Sequence, residues 1–228
     1  MFLGIETSSA VSSVCVSDGD RIIAELTVEA GFTHSEQLVP HIDTLLRYGK
    51  VAKDSIEGIA VTIGPGSFTG LRIGMGTAKA MAYAWQVPLV GVMTMDAIAH
   101  NFVGTDDLVV VMIDAQKKNV YEGRYEWRDG AMQQIQAPTV KLRADALRDL
   151  AALNRPVWLC GDGVLKRREE IEQYPTLHLA PPAMRIPHAS SVLAVAKQRF
   201  DAKDYDDSMT LVPYYIRRSE EHTSELQS

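Results

Sequence analysis

Residues 64–74 read GPGSFTGLRIG, and the reading of this stretch decides the fold. The run before it, residues 56–63 (IEGIAVTI), is rich in β-branched residues and reads as a buried strand. After it, residues 71–85 are predicted to form a helix, with Ser67 or Thr69 as the cap. A strand, a glycine-rich turn and a helix in direct succession mark an α/β unit. Two physical readings of the glycines compete. Free N–H groups at a helix start, with no side chains in the way, attract an anion such as a phosphate. Against this, the stretch lacks the Gly-Lys-Ser/Thr ending of a P-loop and has no GxGxxG directly after the strand. The second reading is close packing. Gly74, Ala78 and Ala82 share one helix face, and Gly76, Ala80 and Ala84 share another. Two such faces cannot both meet one sheet, so one is expected on the core and the other free for a neighbouring helix.

Working towards the N-terminus, Thr33-His34-Ser35-Glu36 has capping-box spacing, and Leu38, Ile42, Leu45 and Leu46 repeat at helical spacing. This predicts a helix over residues 33–49, with Gly49 as its C-cap and Pro40 either kinking it or delaying its start. Residues 2–9 (FLGIETSS) read as a strand ending in an acid and small hydroxyl residues. Asp18-Gly19-Asp20 reads as a hairpin turn.

Towards the C-terminus the pattern begins again. A composition change at residues 104–107 (GTDD) places a lobe boundary there. Three strands follow, at 108–115, 119–127 and 132–142, with Asp129-Gly130 as a turn. A helix, the strand PVWLCGD, a helix over 164–174 and an amphipathic helix from 189 complete the half. Strand-strand-strand followed by alternating helices and strands, twice, predicts an α/β chain of two lobes. The fold class is the duplicated, ribonuclease-H-like fold of actin, Hsp70 and sugar kinases (the ASKHA class), with lobes over residues 1–105 and 106–217. In actin-like folds an acid at the end of the first strand and the small hydroxyl residues after it approach a nucleotide's phosphates. Glu6, Thr7, Ser8 and Ser9 are the candidates here, with a polar turn as the competing reading.

Composition narrows the function. The chain's 228 residues carry a formal net charge of −6, which argues against this chain alone supplying the main grip on a nucleic acid. Lys166, Arg167 and Arg168 are followed at once by Glu169, Glu170 and Glu172, as on a solvated helix face. Cys15 and Cys160, each in an apolar run, read as buried thiols of a cytoplasmic protein. No run is long and apolar enough for a membrane span, and the N-terminus lacks the basic leader of a signal peptide. Residues 218–228 (RSEEHTSELQS) have no apolar periodicity and resemble the translation of a common sequencing-adapter oligonucleotide, so they are expected to be a non-native tail.

Taken together, GIETSS, HSEQLVP, GPGSFTGLRIG and PYYIR, in this order and spacing over residues 1–217, are similar to the TsaB (YeaZ) family. The resemblance implies a non-catalytic scaffold that activates the ATP-dependent paralogue TsaD, with the ATPase TsaE as third member. The complex places a threonylcarbamoyl group on N6 of the adenosine next to the anticodon, in tRNAs reading A-starting codons. It further implies that the chain binds no cofactor alone, with ATP/ADP and metal on the partner subunits. It implies contact with tRNA only through the complex, and a homodimer in isolation through the same first-lobe helices. His34, Leu38, Ile42, Leu45, Ile73, Thr77 and Met81 are the candidate partner contacts. The catalytic paralogue carries a His-x-x-x-His metal pair where Thr94 and Ile98 stand here, and an isoleucine cannot hold a metal. No catalytic or metal-binding residue is therefore assigned. The family's Asp-Ala-Arg-x-x-Glu-Val-Tyr stretch reads here Asp114-Ala115-Gln116-Lys117-Lys118-Asn119-Val120-Tyr121, and no role is placed on Gln116 or Asn119. Two rivals stay open: an ATP-binding kinase or hydrolase of the same fold, and a glycoprotease-type metallopeptidase.

Overall fold

The computed structural model describes residues 1–29 and 34–214, with the side chain of His34 also outside the described set. The tail at 218–228, Thr33 of the capping box and most of the PYYIR motif lie outside the described residues.

Two five-stranded sheets carry the fold. The first contains β1 (Phe2–Glu6), β2 (Val11–Asp18), β3 (Arg21–Glu29), β4 (Gly58–Gly64) and β5 (Leu89–Met93), in the order β3-β2-β1-β4-β5. The second contains β6 (Leu108–Asp114), β7 (Asn119–Arg128), β8 (Ala131–Leu142), β9 (Val157–Cys160) and β10 (Leu177–Leu179). Its order β8-β7-β6-β9-β10 repeats the first sheet strand for strand. In both, the first three strands pair antiparallel and the fourth joins the first in parallel. The duplication expected from the sequence is thus written in the topology, and the fold is that of the actin-like class.

The helices are α1 (His34–Gly49), α2 (Phe68–Trp85), α3 (Thr94–His100), α4 (Arg143–Ala151), α5 (Arg168–Ile171) and α6 (Ala189–Asp201). Side chains alternate across each strand, so each sheet buries both faces. Leu3, Ile5, Val14, Ile59 and Val61 meet α1 and α2 on one face of the first sheet. Cys15, Ala60, Val90 and Val92 meet α6 on the other. In the second sheet Val110, Met112 and Val120 pack on α4, while Val109, Val111 and Tyr125 pack on α3. The two sheets therefore exchange helices: α3, encoded before β6, covers the second sheet, and α6, encoded after β10, covers the first.

Three local expectations are corrected. Pro40 lies inside a helix that starts at His34, so it does not delay the start. The left-handed residue ending α1 is Lys50 (φ 53°), one position past the expected Gly49. Residues 164–174 do not form one helix. Three-residue turn bonds from Val164 to Gly161 and from Leu165 to Asp162 lead into the single-turn α5. Lys166, Arg167 and Arg168 are exposed, as expected.

Candidate functional site

At the C-terminal end of β1 the chain turns at Thr7 and Ser8 and packs directly on the glycine-rich turn. Ser67 caps α2: its Oγ accepts from Gly70 N at 3.2 Å, and its own N–H donates to Ser8 O at 2.6 Å. Thr7 Oγ1 donates to Gly70 O at 2.8 Å, a contact that spans 63 positions. This closeness explains the glycines. A Cβ on Gly70 would overlap the carbonyl oxygen of Thr7, and one on Gly74 would overlap Thr7 Oγ1. The room that glycine creates at the helix start is filled by the chain's own β1–β2 turn. Of the two readings of GPGSFTGLRIG, the geometry favours packing.

Of the four residues read as possible nucleotide contacts, Glu6, Thr7 and Ser8 are buried and Ser9 is half-buried, with Ser9 Oγ accepting from Val11 N at 3.1 Å. Glu6 is wholly inaccessible. Its Oε1 accepts from Ser8 N at 2.5 Å and from Ser8 Oγ at 2.6 Å, while its Oε2 is buried with no hydrogen-bond partner. Burial pushes the carboxyl up to about 7, against the opposing influence of the Ser8 N–H and hydroxyl.

The predicted partner contacts divide sharply. Leu38, Ile42 and Leu45 are at most 3 % exposed and sit in the first core beneath the sheet face, so in this fold they face inwards. Their helical spacing marks a buried stripe, and the outward side of α1 carries Val39, Asp43, Arg47 and Tyr48 instead. Ile73 and Met81 are half-buried against the same core, and Thr77 is half-buried beside them. The side chain of His34 is outside the described residues. The two small-residue faces of α2 resolve cleanly: Gly74, Ala78 and Ala82 are buried, whereas Gly76, Ala80 and Ala84 are exposed. The exposed face continues into Tyr83, and Arg72 lies over the ring of exposed Phe68 at 4.7 Å. Sequence reasoning passed over Phe68 and Tyr83. The available signal was Tyr83's place three positions past Ala80, on the same stripe.

Thr94 opens α3 with its hydroxyl buried, and Ile98 lies in the second core. Asp96 accepts from Tyr125 Oη at 2.8 Å, and Gln134 donates to the same Oη at 2.9 Å. Burial raises the Asp96 carboxyl and lowers His100 from their ordinary values. Among the described residues, no cluster of three or more His, Cys, Asp or Glu has the arrangement of a metal site. In the second half, Gln116 lies in the β6–β7 turn and Asn119 opens β7, its N–H donating to Gln116 O at 2.8 Å. Both cysteines are free and buried, and burial pushes Cys15 up to about 12. Among the described residues, no helix is long and apolar enough to cross a membrane.

One feature near the turn had no sequence signal. Residues 204–214 return along the first sheet. Arg199 pairs with Asp206 at 2.9 Å and Asp204 at 2.8 Å, Asp206 N donates to Leu89 O, and Tyr214 N donates to Ile63 O at 2.7 Å. Lys79 of α2 donates to the carbonyls of Met209 and Leu211.

Comparison with known proteins places this geometry. The profile of the family described as TsaD, tRNA N6-adenosine threonylcarbamoyltransferase, matches residues 28–224. The tRNA threonylcarbamoyladenosine biosynthesis protein TsaB of Bacillus subtilis is 28 % identical over 228 residues, covering 99 % of this chain and 98 % of its own length. YeaZ from Pseudomonas aeruginosa superposes with a TM-score of 0.76 at 26 % identity, over 94 % of this chain and 99 % of that one. An activator of 2-hydroxyisocaproyl-CoA dehydratase from Clostridium difficile, solved with bound ADPNP, shares the fold at a TM-score of 0.51 and 10 % identity, over 90 % of this chain and 98 % of that one.

Proposed function

The chain belongs to the TsaD-type tRNA N6-adenosine threonylcarbamoyltransferase family, in its TsaB (YeaZ) branch, and from that premise we propose that it is the accessory subunit that activates TsaD. The reaction served is threonylcarbamoylation of N6 of the adenosine beside the anticodon. In this reading the catalytic nucleotide and metal sit on TsaD and TsaE, tRNA is met through the complex, and the setting is the cytoplasm.

One observation carries the reading. The long helix α2, pinned at its start by Thr7 and Ser8, presents Gly76, Ala80 and Ala84 outwards, flanked by exposed Phe68 and Tyr83. Small residues four apart let another helix approach closely, and exposed aromatics next to them supply anchors for an interface. The contact surface proposed for TsaD, or for a second copy in its absence, is this outer face of α2 with the outward side of α1. Leu38, Ile42 and Leu45 support it from beneath.

The test is a reconstituted tRNA modification assay with TsaD and TsaE, with and without this chain. Activity is expected to require it. Tyr83→Glu, at a residue 69 % exposed, is expected to abolish co-purification with TsaD while leaving the thermal midpoint within about 2 °C. Retention of wild-type affinity by that variant rejects the surface. Full activity without the chain rejects the accessory role.

A further inference from the structure

Among the described residues, the chain passes between the two sheets twice, from β5 into α3 and from β10 into α6. The two arriving helices lie against each other. Met95, Ile98 and Phe102 of α3 belong to the core of the second sheet, while Ala97 packs with Val192 and Leu193 of α6. Each crossing is anchored at its far end. The first turn of α6 is fixed to the first sheet: Ala189 N donates to Ser13 Oγ at 3.0 Å, and Ser190 N and Oγ donate to Glu25 at 2.9 and 3.0 Å. The segment before it is fixed to the second sheet, where Gly161 N donates to Arg185 O at 2.9 Å and Ala180 N donates to Leu159 O at 3.0 Å. Any movement of one sheet relative to the other therefore has to turn near residues 93–94 and 187–188 and slide α3 past α6.

Asn101, the residue that ends α3, sits across this joint. Its Nδ2 donates to Met184 O at 3.3 Å and to Ile186 O at 2.8 Å, and its Oδ1 accepts from Ser191 Oγ of α6 at 2.6 Å. Exchanging the amide's oxygen and nitrogen would set an acceptor against two carbonyls, so the network fixes the orientation of the group. One side chain thus holds the second crossing just before it turns, and holds the helix just after it.

We propose that Asn101 is the bolt of the joint between the two lobes: it ties the second crossing and α6 to the end of α3, so that the chain moves as one rigid body and its lobes do not hinge.

The bolt does not depend on the accessory reading, because it concerns the isolated chain. The experiment is a pulsed electron-spin distance measurement on the full chain. Spin labels are placed through Ala52→Cys in the first lobe and Ala144→Cys on α4 in the second, both at exposed positions, while Cys15 and Cys160 are buried. Diluting labelled chain in unlabelled chain restricts the reading to distances within one molecule. A second pair, Glu29→Cys with Ala52→Cys, lies wholly in the first lobe and serves as the reference. With Asn101 in place, one narrow distance between the lobes is expected. Asn101→Asp sets a carboxylate against the Met184 and Ile186 carbonyls and is expected to about double the width of that distribution. Ser191→Ala removes the bond to α6 alone and is expected to widen it less. The reference pair is expected to stay unchanged in both. The thermal midpoint shows that each variant is folded, and should Asn101→Asp fail to fold, Ser191→Ala decides. A broad or two-peaked distribution with Asn101 in place overturns the bolt. An unchanged width in the folded variants overturns it too, since packing of α3 on α6 would then hold the joint by itself. Equal widening of the reference pair also overturns it, as the loosening would not belong to the joint.

Discussion

Two turn pairs occupy matching places in the two halves of the molecule and have met opposite fates. In the first half, the turn after β1 and the glycine turn after β4 press together. Glu6, Thr7 and Ser8 are buried between them, and an eighteen-residue helix follows. In the second half, the turn after β6 and the Gly161-Asp162-Gly163 turn after β9 also touch, through Asp162 Oδ1 receiving Asp114 N at 2.9 Å. There Asp114, Gln116, Lys117 and Lys118 stay exposed, although burial of the Asp162 carboxyl raises it, and only a single helical turn follows, after four intervening residues. One topology thus yields a dry joint and a wet one. In the dry joint polar groups depend on partners within the protein, and an unmet one such as Glu6 Oε2 is costly. In the wet joint, water supplies what the chain does not. Substitutions in the first turn pair should therefore have large effects, and their counterparts small ones.

The largest difference is expected at the glycines. A methyl group on Gly70 overlaps the Thr7 carbonyl, a backbone atom that cannot move without unseating the turn. Gly70→Ala is expected to lower unfolding stability by about 4 kcal/mol, measured by urea titration. At Gly163 the added Cβ would lie 3.0 Å from Met112 O and from Val120 Cγ1, a tight fit that small shifts can absorb. Gly163→Ala is expected to cost about 1 kcal/mol. Equal losses would erase the distinction between the joints.

The acids come next. Because Glu6 is raised from 4.5 to about 7, wild-type stability should fall as pH rises through that window, by up to about 3 kcal/mol, and level off above it. In Glu6→Gln this component is expected to vanish, so that the stability–pH curve flattens between pH 4.5 and 7. Asp114 is exposed, and its Oδ1 accepts from Gln116 N at 2.9 Å, a bond an asparagine oxygen can also accept. Asp114→Asn is expected to shift stability by less than about 0.5 kcal/mol at any pH in the same range. Matching pH profiles for the two variants would show that burial does not separate the joints.

Much of the fold is legible in the sequence, while the contrast between the two joints is not, and the division illustrates what periodicity can carry. The duplication was visible because each strand and turn announces itself within ten residues, as Asp129-Gly130 does between β7 and β8. The two small-residue faces of α2 were also visible, since helical spacing alone defines them. Spacing does not say what a stripe faces. Leu38, Ile42 and Leu45 were read as a partner surface, yet the sheet is the nearer apolar object and claims them. The reason for the glycines was hidden for a different cause. The Thr7–Gly70 contact joins residues 63 positions apart, and no local pattern reports it. The exchange of α3 and α6 between sheets was likewise invisible, because an amphipathic helix looks the same whichever sheet it covers.

A smaller effect is expected from the hydroxyl at the centre of the dry joint. Thr7→Val keeps the shape of the side chain and removes the donor to Gly70 O. It should cost about 1 to 2 kcal/mol, because a buried hydrogen bond between the turn and the helix is lost. The value is read from the shift in the urea midpoint at constant slope.

The smallest effect has the opposite sign and belongs to the wet joint. Gln116, Lys117 and Lys118 hold φ values of 63°, 49° and 66°, three successive non-glycine residues in the left-handed region. Each such placement costs about 1 kcal/mol for an ordinary side chain, and glycine avoids that cost while giving up some unfolded-state entropy advantage. Lys117 is exposed, so its side chain contributes little packing to set against the strain. Lys117→Gly is therefore expected to raise stability by a few tenths of a kcal/mol, to at most about 1 kcal/mol. No position in the Thr7–Ser8 turn has a positive φ, so that turn has no left-handed strain for glycine to relieve. Ser8→Gly there would remove the hydroxyl bond to Glu6, keeping only the backbone one, and should only destabilise. If Lys117→Gly also destabilises, the second turn is held by more than its backbone, and the wet joint is tighter than its exposure indicates.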